Sequence, residues 1–258
     1  MKASARKQVR GEIRVIPVRG IPDVEPGNSL ATLVLAAAKA HEIAFKPGDI
    51  LVLKHKIVAK AEGRIVRLVS IKPSRKALAS ARRNHTDARV IELALREASG
   101  VLRDQHVLIT ETPHGFVCAN NGVDVSNVDG GESAVLLPID PDTSAAKVHC
   151  NLKRLTGLHV PVIISDSFGR AWRQGLCDVA IGVAGMRVIR DYRGRSDDYG
   201  YVLHATEHAV ADELAAMAGL VSGKDARIPA CIIRGYRYAR GAGSARQLVR
   251  PADKDLFR

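Results

Sequence analysis

Residues 161–173 constrain this chain more than any other stretch: Pro161-Val-Ile-Ile-Ser-Asp166-Ser167-Phe168-Gly169-Arg170-Ala171-Trp172-Arg173. The compact β-branched run Val162 to Ser165, flanked by turn residues, predicts a short strand buried inside a sheet. Asp166 and Ser167 then fall at its carboxyl end, where open α/β sheets present ligand groups. A carboxylate beside a hydroxyl offers oxygen to a hard cation such as Mg²⁺ or Mn²⁺. Arg170 and Arg173 bracket the only tryptophan and are close enough to clamp one anion from one side. A capped strand end with solvated arginines is the competing account, and a second carboxylate elsewhere has to decide.

The chain has 258 residues, enough for one large core or two small ones, and its 46% hydrophobic content is that of an ordinary soluble protein. No apolar run reaches the roughly 18 residues of a membrane span. The basic start Met1-Lys-Ala-Ser-Ala-Arg-Lys-Gln-Val-Arg10 has no apolar segment behind it, so residues 1–11 are expected to be a flexible tail and the protein cytoplasmic. A net charge of +12 points to anionic partners, whereas 4% aromatic content argues against single-strand nucleic-acid binding, which needs stacking platforms. Cys118, Cys150, Cys177 and Cys231 are too widely spaced for the usual zinc motifs.

In chain order, Glu12 to Val18 predicts a first strand, and Ser29 is positioned to cap a helix through His41. A strand is expected over Ile50 to Val58, leading into a charged loop at residues 59–64. Asp87 starts an amphipathic helix that Gly100 stops. Val107 to Thr110 and Phe116 to Ala119 predict a hairpin, and Asn120 to Asn127 a polar loop. A strand over Ala134 to Pro138 precedes a helix from Asp140 to Leu155. After the opening stretch come a helix from His204 to Leu220 and a last strand, Ile228 to Ile233. Residues 241–258 are expected to be loosely ordered.

The strongest constellation is Asp124 with Asp166. Each follows a predicted strand and has a hydroxyl close by, Ser126 or Ser167, and Asn127 adds another polar group. If the two converge they make a divalent-cation site for a nucleotide; if not, both are Asx turns. Lys56, Lys60, Glu62 and Arg64 are either phosphate contacts or a charged sheet edge. Gly219-Leu-Val-Ser222-Gly223-Lys224-Asp225 is too short for a phosphate loop and ends in Asp rather than Ser or Thr. His204-Ala-Thr-Glu207-His208 matches H-x-x-E-H, which on a helix sets two zinc-ligating histidines on one face with the glutamate as base.

Taken together, several segments resemble the coenzyme F420-0:L-glutamate ligase (γ-glutamyl ligase) family. They are Gly20-Ile-Pro-Asp-Val24, Ile57-Val-Ala-Lys-Ala-Glu-Gly-Arg64, Gly115-Phe-Val-Cys-Ala-Asn-Asn-Gly-Val-Asp-Val-Ser-Asn127, Leu137-Pro-Ile-Asp-Pro-Asp142, Ile164-Ser-Asp-Ser-Phe-Gly-Arg170, Asp178-Val-Ala-Ile-Gly-Val-Ala-Gly185 and Ala209-Val-Ala-Asp-Glu-Leu214. The resemblance spans about residues 12–235 and implies an α+β fold of mixed sheets and packed helices in two interwoven subdomains, within a domain over 12–240. It also implies a homodimer that uses GTP, Mg²⁺ or Mn²⁺ (two ions) and K⁺ to join L-glutamate to F420-0. Carried over by position, Asp124 and Asp166 hold one metal and Ser167 helps with a second. Ile21, Pro22, Asp23, Val24, His55, Lys56, Lys60 and Asn127 contact the nucleotide, and Ser222-Gly223-Lys224 lies along it. Roles for Arg170 and Arg173 on the acceptor are inferred from charge and position alone.

The chain departs from the family pattern at Lys54-His55, where small hydroxyl residues are usual, at Ser167 in place of Thr, at Leu176-Cys177 and at Tyr201. These positions bear on the acceptor pocket. A related ligase with another phospho-acid acceptor, a non-catalytic basic nucleotide- or nucleic-acid-binding protein and a zinc hydrolase are the alternatives.

Overall fold

The computed structural model describes residues 11–255, so all of the expected basic tail except Gly11 lies outside the described residues. Strand β1 (Arg14–Val18) leads to helix α1 (Leu30–Ala40), whose first turn is closed by the Ser29 hydroxyl accepting from the Thr32 amide at 3.4 Å. Strand β2 (Ile50–Lys54) passes directly into helix α2 (His55–Ala61). Then come β3 (Ile65–Arg67), α3 (Arg75–Asn84), α4 (Ala88–Glu97), β4 (Gly100–Gln105), β5 (Val107–Glu111), β6 (Val117–Ala119) and β7 (Ser133–Val135). Helix α5 (Pro141–Thr156), the long hairpin of β8 (Val162–Arg170) and β9 (Arg173–Ala184), the short pair β10 (Arg190–Asp191) and β11 (Glu207–His208), helix α6 (Val210–Ser222) and β12 (Ala230–Arg234) complete the order.

The main sheet runs β1-β12-β2-β8-β9, with β2 and β8 parallel and every other neighbour antiparallel. Its central strands are apolar throughout, Ile50 to Leu53 and Val162 to Ile164, because helices and loops cover both faces and leave no strand side for solvent. A second hydrophobic cluster forms from one excursion of the chain, with Leu68, Ile91, Leu93, Leu108 and Leu136 at its centre, while residues before and after the excursion share the first cluster. That is how the two subdomains interweave in an α+β fold. No helix among the described residues is long and apolar enough to cross a membrane.

Four expectations need correction. The apolar run from Ile50 is a strand only to Lys54; Ile57 and Val58 bury themselves from a helix, a distinction an apolar run cannot make by itself. Strand β8 continues through Asp166 and Ser167 to Arg170, because β9 pairs with it along its whole length. The helix expected from His204 begins at Val210, so His204 and His208 do not share a helical face. Within the described residues beyond Arg240, the segment at Ser244 and Ala245 is docked: Ala245 is fully buried, and the Ser244 hydroxyl donates to Asp142 Oδ2 at 2.5 Å.

Candidate active site

The junction of β2 and α2 is where the candidate residues meet. Because β2 runs parallel to β8 with Lys54 opposite Ser165, the residues leaving β2 turn toward Asp166. Three consecutive side chains then face three carboxylates. Lys54 Nζ pairs with Asp178 Oδ2, His55 Nδ1 lies 3.1 Å from Asp166 Oδ1, and Lys56 Nζ lies 2.7 Å from Asp124 Oδ2. Lys56 also donates to the Ser126 carbonyl at 2.8 Å and its hydroxyl at 2.7 Å, which ties the 120–127 loop to α2. The loop itself is anchored by reciprocal backbone bonds between Asp124 and Val135.

Across the β8–β9 hairpin, Ser167 stands directly opposite Asp178, and its hydroxyl donates to Asp178 Oδ1 at 2.6 Å. The Ser167 amide donates to Asp166 Oδ1 at 2.7 Å. From the other side, Lys224 Nζ donates to Ser167 Oγ at 2.8 Å, and Asn127 Nδ2 to the Lys224 carbonyl at 3.4 Å. Asp124, Asp166, Ser167, His55, Lys56, Asn127 and Lys224 therefore converge, and the Asx-turn account fails as a full explanation.

Burial alone would raise the Asp124 carboxyl, but the Lys56 ammonium and the Ser126 amide outweigh it and hold the group below the usual carboxylate range. Asp166 behaves alike: burial pushes it up, the His55 ring and the Ser167 amide pull it further down, and the charge of Asp124 works against its ionisation. The charge of Asp124 thus reaches Asp166, although the two arrive from separate elements. Cys118 sits in the same field, with burial and then Asp166 pushing its thiol to about 12, so it is an inert thiol.

Other expected site residues are placed differently. His55 is only 2% exposed, and its Nε2 is buried with no hydrogen-bond partner, so it braces Asp166 from behind. Ile21, Pro22, Asp23 and Val24 form the connection between β1 and α1, which is tied to the far end of α2 by the Gly27 amide on the Ala61 carbonyl at 2.8 Å; Lys60 is half-buried on that last turn. Ser222 is buried at the end of α6, and the exposed Gly223 and Lys224 follow it. Arg170 and Arg173 occupy the exposed hairpin tip, where Arg170 Nη2 donates to the Gln174 carbonyl at 2.8 Å. At about 3.3 Å per strand residue, Arg170 lies roughly 13 Å along β8 from Asp166.

The zinc-hydrolase alternative loses its geometric basis. His208 Nδ1 faces Glu213 at 3.5 Å, His204 packs edge-on to Tyr201, and among the described residues no group of three or more His, Cys, Asp or Glu side chains is gathered to hold a metal.

Over residues 20–235 the sequence matches the family described as F420-0:Gamma-glutamyl ligase. The chain belongs to this family. It is 46% identical over 250 residues to the coenzyme F420:L-glutamate ligase of Methanothermobacter thermautotrophicus, covering 95% of this chain and 99% of that protein. It is 44% identical over 213 residues to the protein of the same name from Methanocaldococcus jannaschii, covering 82% and 85%. For the Archaeoglobus fulgidus protein of that name the identity is 40% over 247 residues, covering 95% and 96%.

Within this F420-0:γ-glutamyl ligase framework, Asp178 and Lys54 were not assigned a role from sequence. Asp178 was legible in principle: a turn at Ala171-Trp172 lays a hydroxyl of one strand opposite a carboxylate of the next. Lys54 stood out only as a departure, and its partner lies 124 positions away. Leu176 and Tyr201, two further departures, are 64% and 63% exposed.

Proposed function

We propose that this chain is a cytoplasmic, homodimeric ligase that joins L-glutamate to F420-0 at the expense of GTP. The observation that carries the reading is the meeting of Asp124 and Asp166 at the α2 amino terminus, in a chain whose relatives bear the name of this ligation. Both substrates are polyanions, so phosphoryl transfer between them needs charge compensation from fixed groups.

Asp124 and Asp166 suit Mg²⁺ or Mn²⁺. Their donors are oxygens, both are held ionised, and the unfavourable pressure of Asp124 on Asp166 is what a shared cation relieves. Two protein carboxylates with water and phosphate oxygens form a normal complement for such an ion. When bound, it offsets phosphate charge and renders the γ-phosphoryl group electrophilic. K⁺ completes the family's requirements.

The chain's own side chains then divide the work. His55 fixes the Asp166 carboxylate, and Lys56 orients Asp124 while presenting an ammonium to phosphate. Asn127, Lys60, Lys224 and the 21–24 loop line the nucleotide. GTP phosphorylates the F420-0 carboxylate, and the glutamate amine attacks the acyl carbon and expels phosphate, losing a proton as the amide forms. A second glutamate follows through a γ-linkage. Arg170 and Arg173 at the hairpin tip steer the anionic acceptor.

Incubation with F420-0, L-glutamate, GTP and Mn²⁺, followed by mass spectrometry, tests this. A glutamyl adduct that disappears in Asp166→Asn is expected. GTP consumption without an adduct would mean another acceptor, and neither product nor consumption would overturn the ligase reading.

A further inference from the structure

We propose that the Lys224 ammonium supplies the second positive charge of this site, so that the chain takes one divalent cation where the family resemblance implies two. The inference rests on reading Asp124 and Asp166 as the carboxylates of a divalent-cation site. The second ion was expected at Ser167. The Ser167 hydroxyl, however, already donates to Asp178 Oδ1 at 2.6 Å and accepts from Lys224 Nζ at 2.8 Å. A Mg²⁺ ion bound to the same oxygen would stand about 2.1 Å from it, within a few ångströms of that ammonium. Like charges that close repel each other.

Asp178, the carboxylate on this side, does not offset that repulsion, because it is already paired with Lys54 and bonded to Ser167. The two halves of the site differ in their charge count. Asp124 and Asp166 bring two carboxylates against the single ammonium of Lys56, which leaves room for a cation. Around Ser167 and Asp178, two ammonium groups already compensate one carboxylate.

Lys224 is held in place by more than one element. Gly223 ends α6 at φ +56° and turns the chain back toward β8. The Asn127 amide then grips the Lys224 carbonyl from the Asp124 loop. A tethered ammonium can do what a second ion does electrostatically, stabilising charge that moves onto phosphate oxygens, without dissociating.

The test is a count of bound metal by equilibrium dialysis of the full chain against Mn²⁺ with GDP, so that free nucleotide complexes cancel across the membrane. Wild type is expected to hold one Mn²⁺ per chain, with the electron-paramagnetic spectrum of an isolated ion. Lys224→Met is expected to take up a second ion and to show the spectrum of a coupled pair, whereas Lys224→Arg, which keeps the charge, stays at one. Two ions in wild type, or one in both wild type and Lys224→Met, would overturn the role given to Lys224. No site-bound Mn²⁺ in wild type, with Asp166→Asn indistinguishable from it, would overturn the cation site itself.

Discussion

His55 Nδ1 lies 3.1 Å from Asp166 Oδ1, and this one contact fixes how β8 presents its carboxylate to the site. The ring is buried, so its replacement leaves Asp166 both less solvated and less compensated. A hydrogen bond to a charged group contributes about 1.5–3 kcal/mol. His55→Ala is expected to lower stability within that range in urea unfolding. It should also weaken Mn²⁺ binding, because Asp166 protonates more readily. A variant with unchanged metal affinity would show that Asp166 holds its geometry without the ring.

Close approach of α6 to the hairpin supplies a second prediction. A Cβ built on Gly219 would lie 2.9 Å from Asp178 Cγ and 3.0 Å from its Oδ2. Alanine in a helix interior is intrinsically better than glycine by about 1 kcal/mol, so helix propensity alone predicts stabilisation. The clash is with a carboxylate that is held on two sides by Lys54 and Ser167 and cannot move freely. Gly219→Ala is expected to destabilise by about 1–3 kcal/mol through overpacking, read from the urea midpoint. A stabilised variant would mean that Asp178 gives way easily.

Asp104 predicts an acid-sensitive contribution away from the candidate site. Burial pushes its carboxyl up, but Ser80, Arg83 and Asn84 together hold it below the usual range. A carboxyl depressed in the folded state adds stability above its unfolded titration, near pH ~4, and loses that contribution as pH falls through the folded value. The stability gap between wild type and Asp104→Asn should therefore be full at pH 6–7 and close progressively below about pH 4. Urea midpoints for the two proteins across that range measure it, and a gap that persists in acid would sink the assignment.

Signals carried by neighbouring residues were readable before the structure. Ser29 caps α1, Asp87 caps α4 and Asp140 caps α5, each through a side chain bonded within its own turn. What was not readable depends on partners far along the chain. The break at Lys54 hides in a continuous apolar run, and α3 hides in a basic one, where Arg75-Lys76 and Arg82-Arg83 mask the buried Ala77 and Ala81. The late start of α6 was missed because Glu207 and His208 pair with β10 instead of extending the helix. Both carboxylates of the candidate site were visible, but their meeting was not, since Asp124 reaches it through Lys56 and a backbone bridge to Val135.

The hairpin tip yields the last prediction. Arg173 is exposed and stands at the turn between β8 and β9, where it pairs across the hairpin with Arg170. If it steers and holds the acidic acceptor, its loss weakens acceptor binding without touching GTP. An exposed ion pair is worth about 0.2–1 kcal/mol, so Arg173→Ala should raise KM for F420-0 by roughly fivefold or less, with kcat and GTP affinity unchanged. The effect should shrink as salt is raised, because ions screen exposed charges within about 10 Å at 0.1 M. A fall in kcat at unchanged KM would place Arg173 at the reacting atoms instead, which would require the hairpin to fold over the site during turnover.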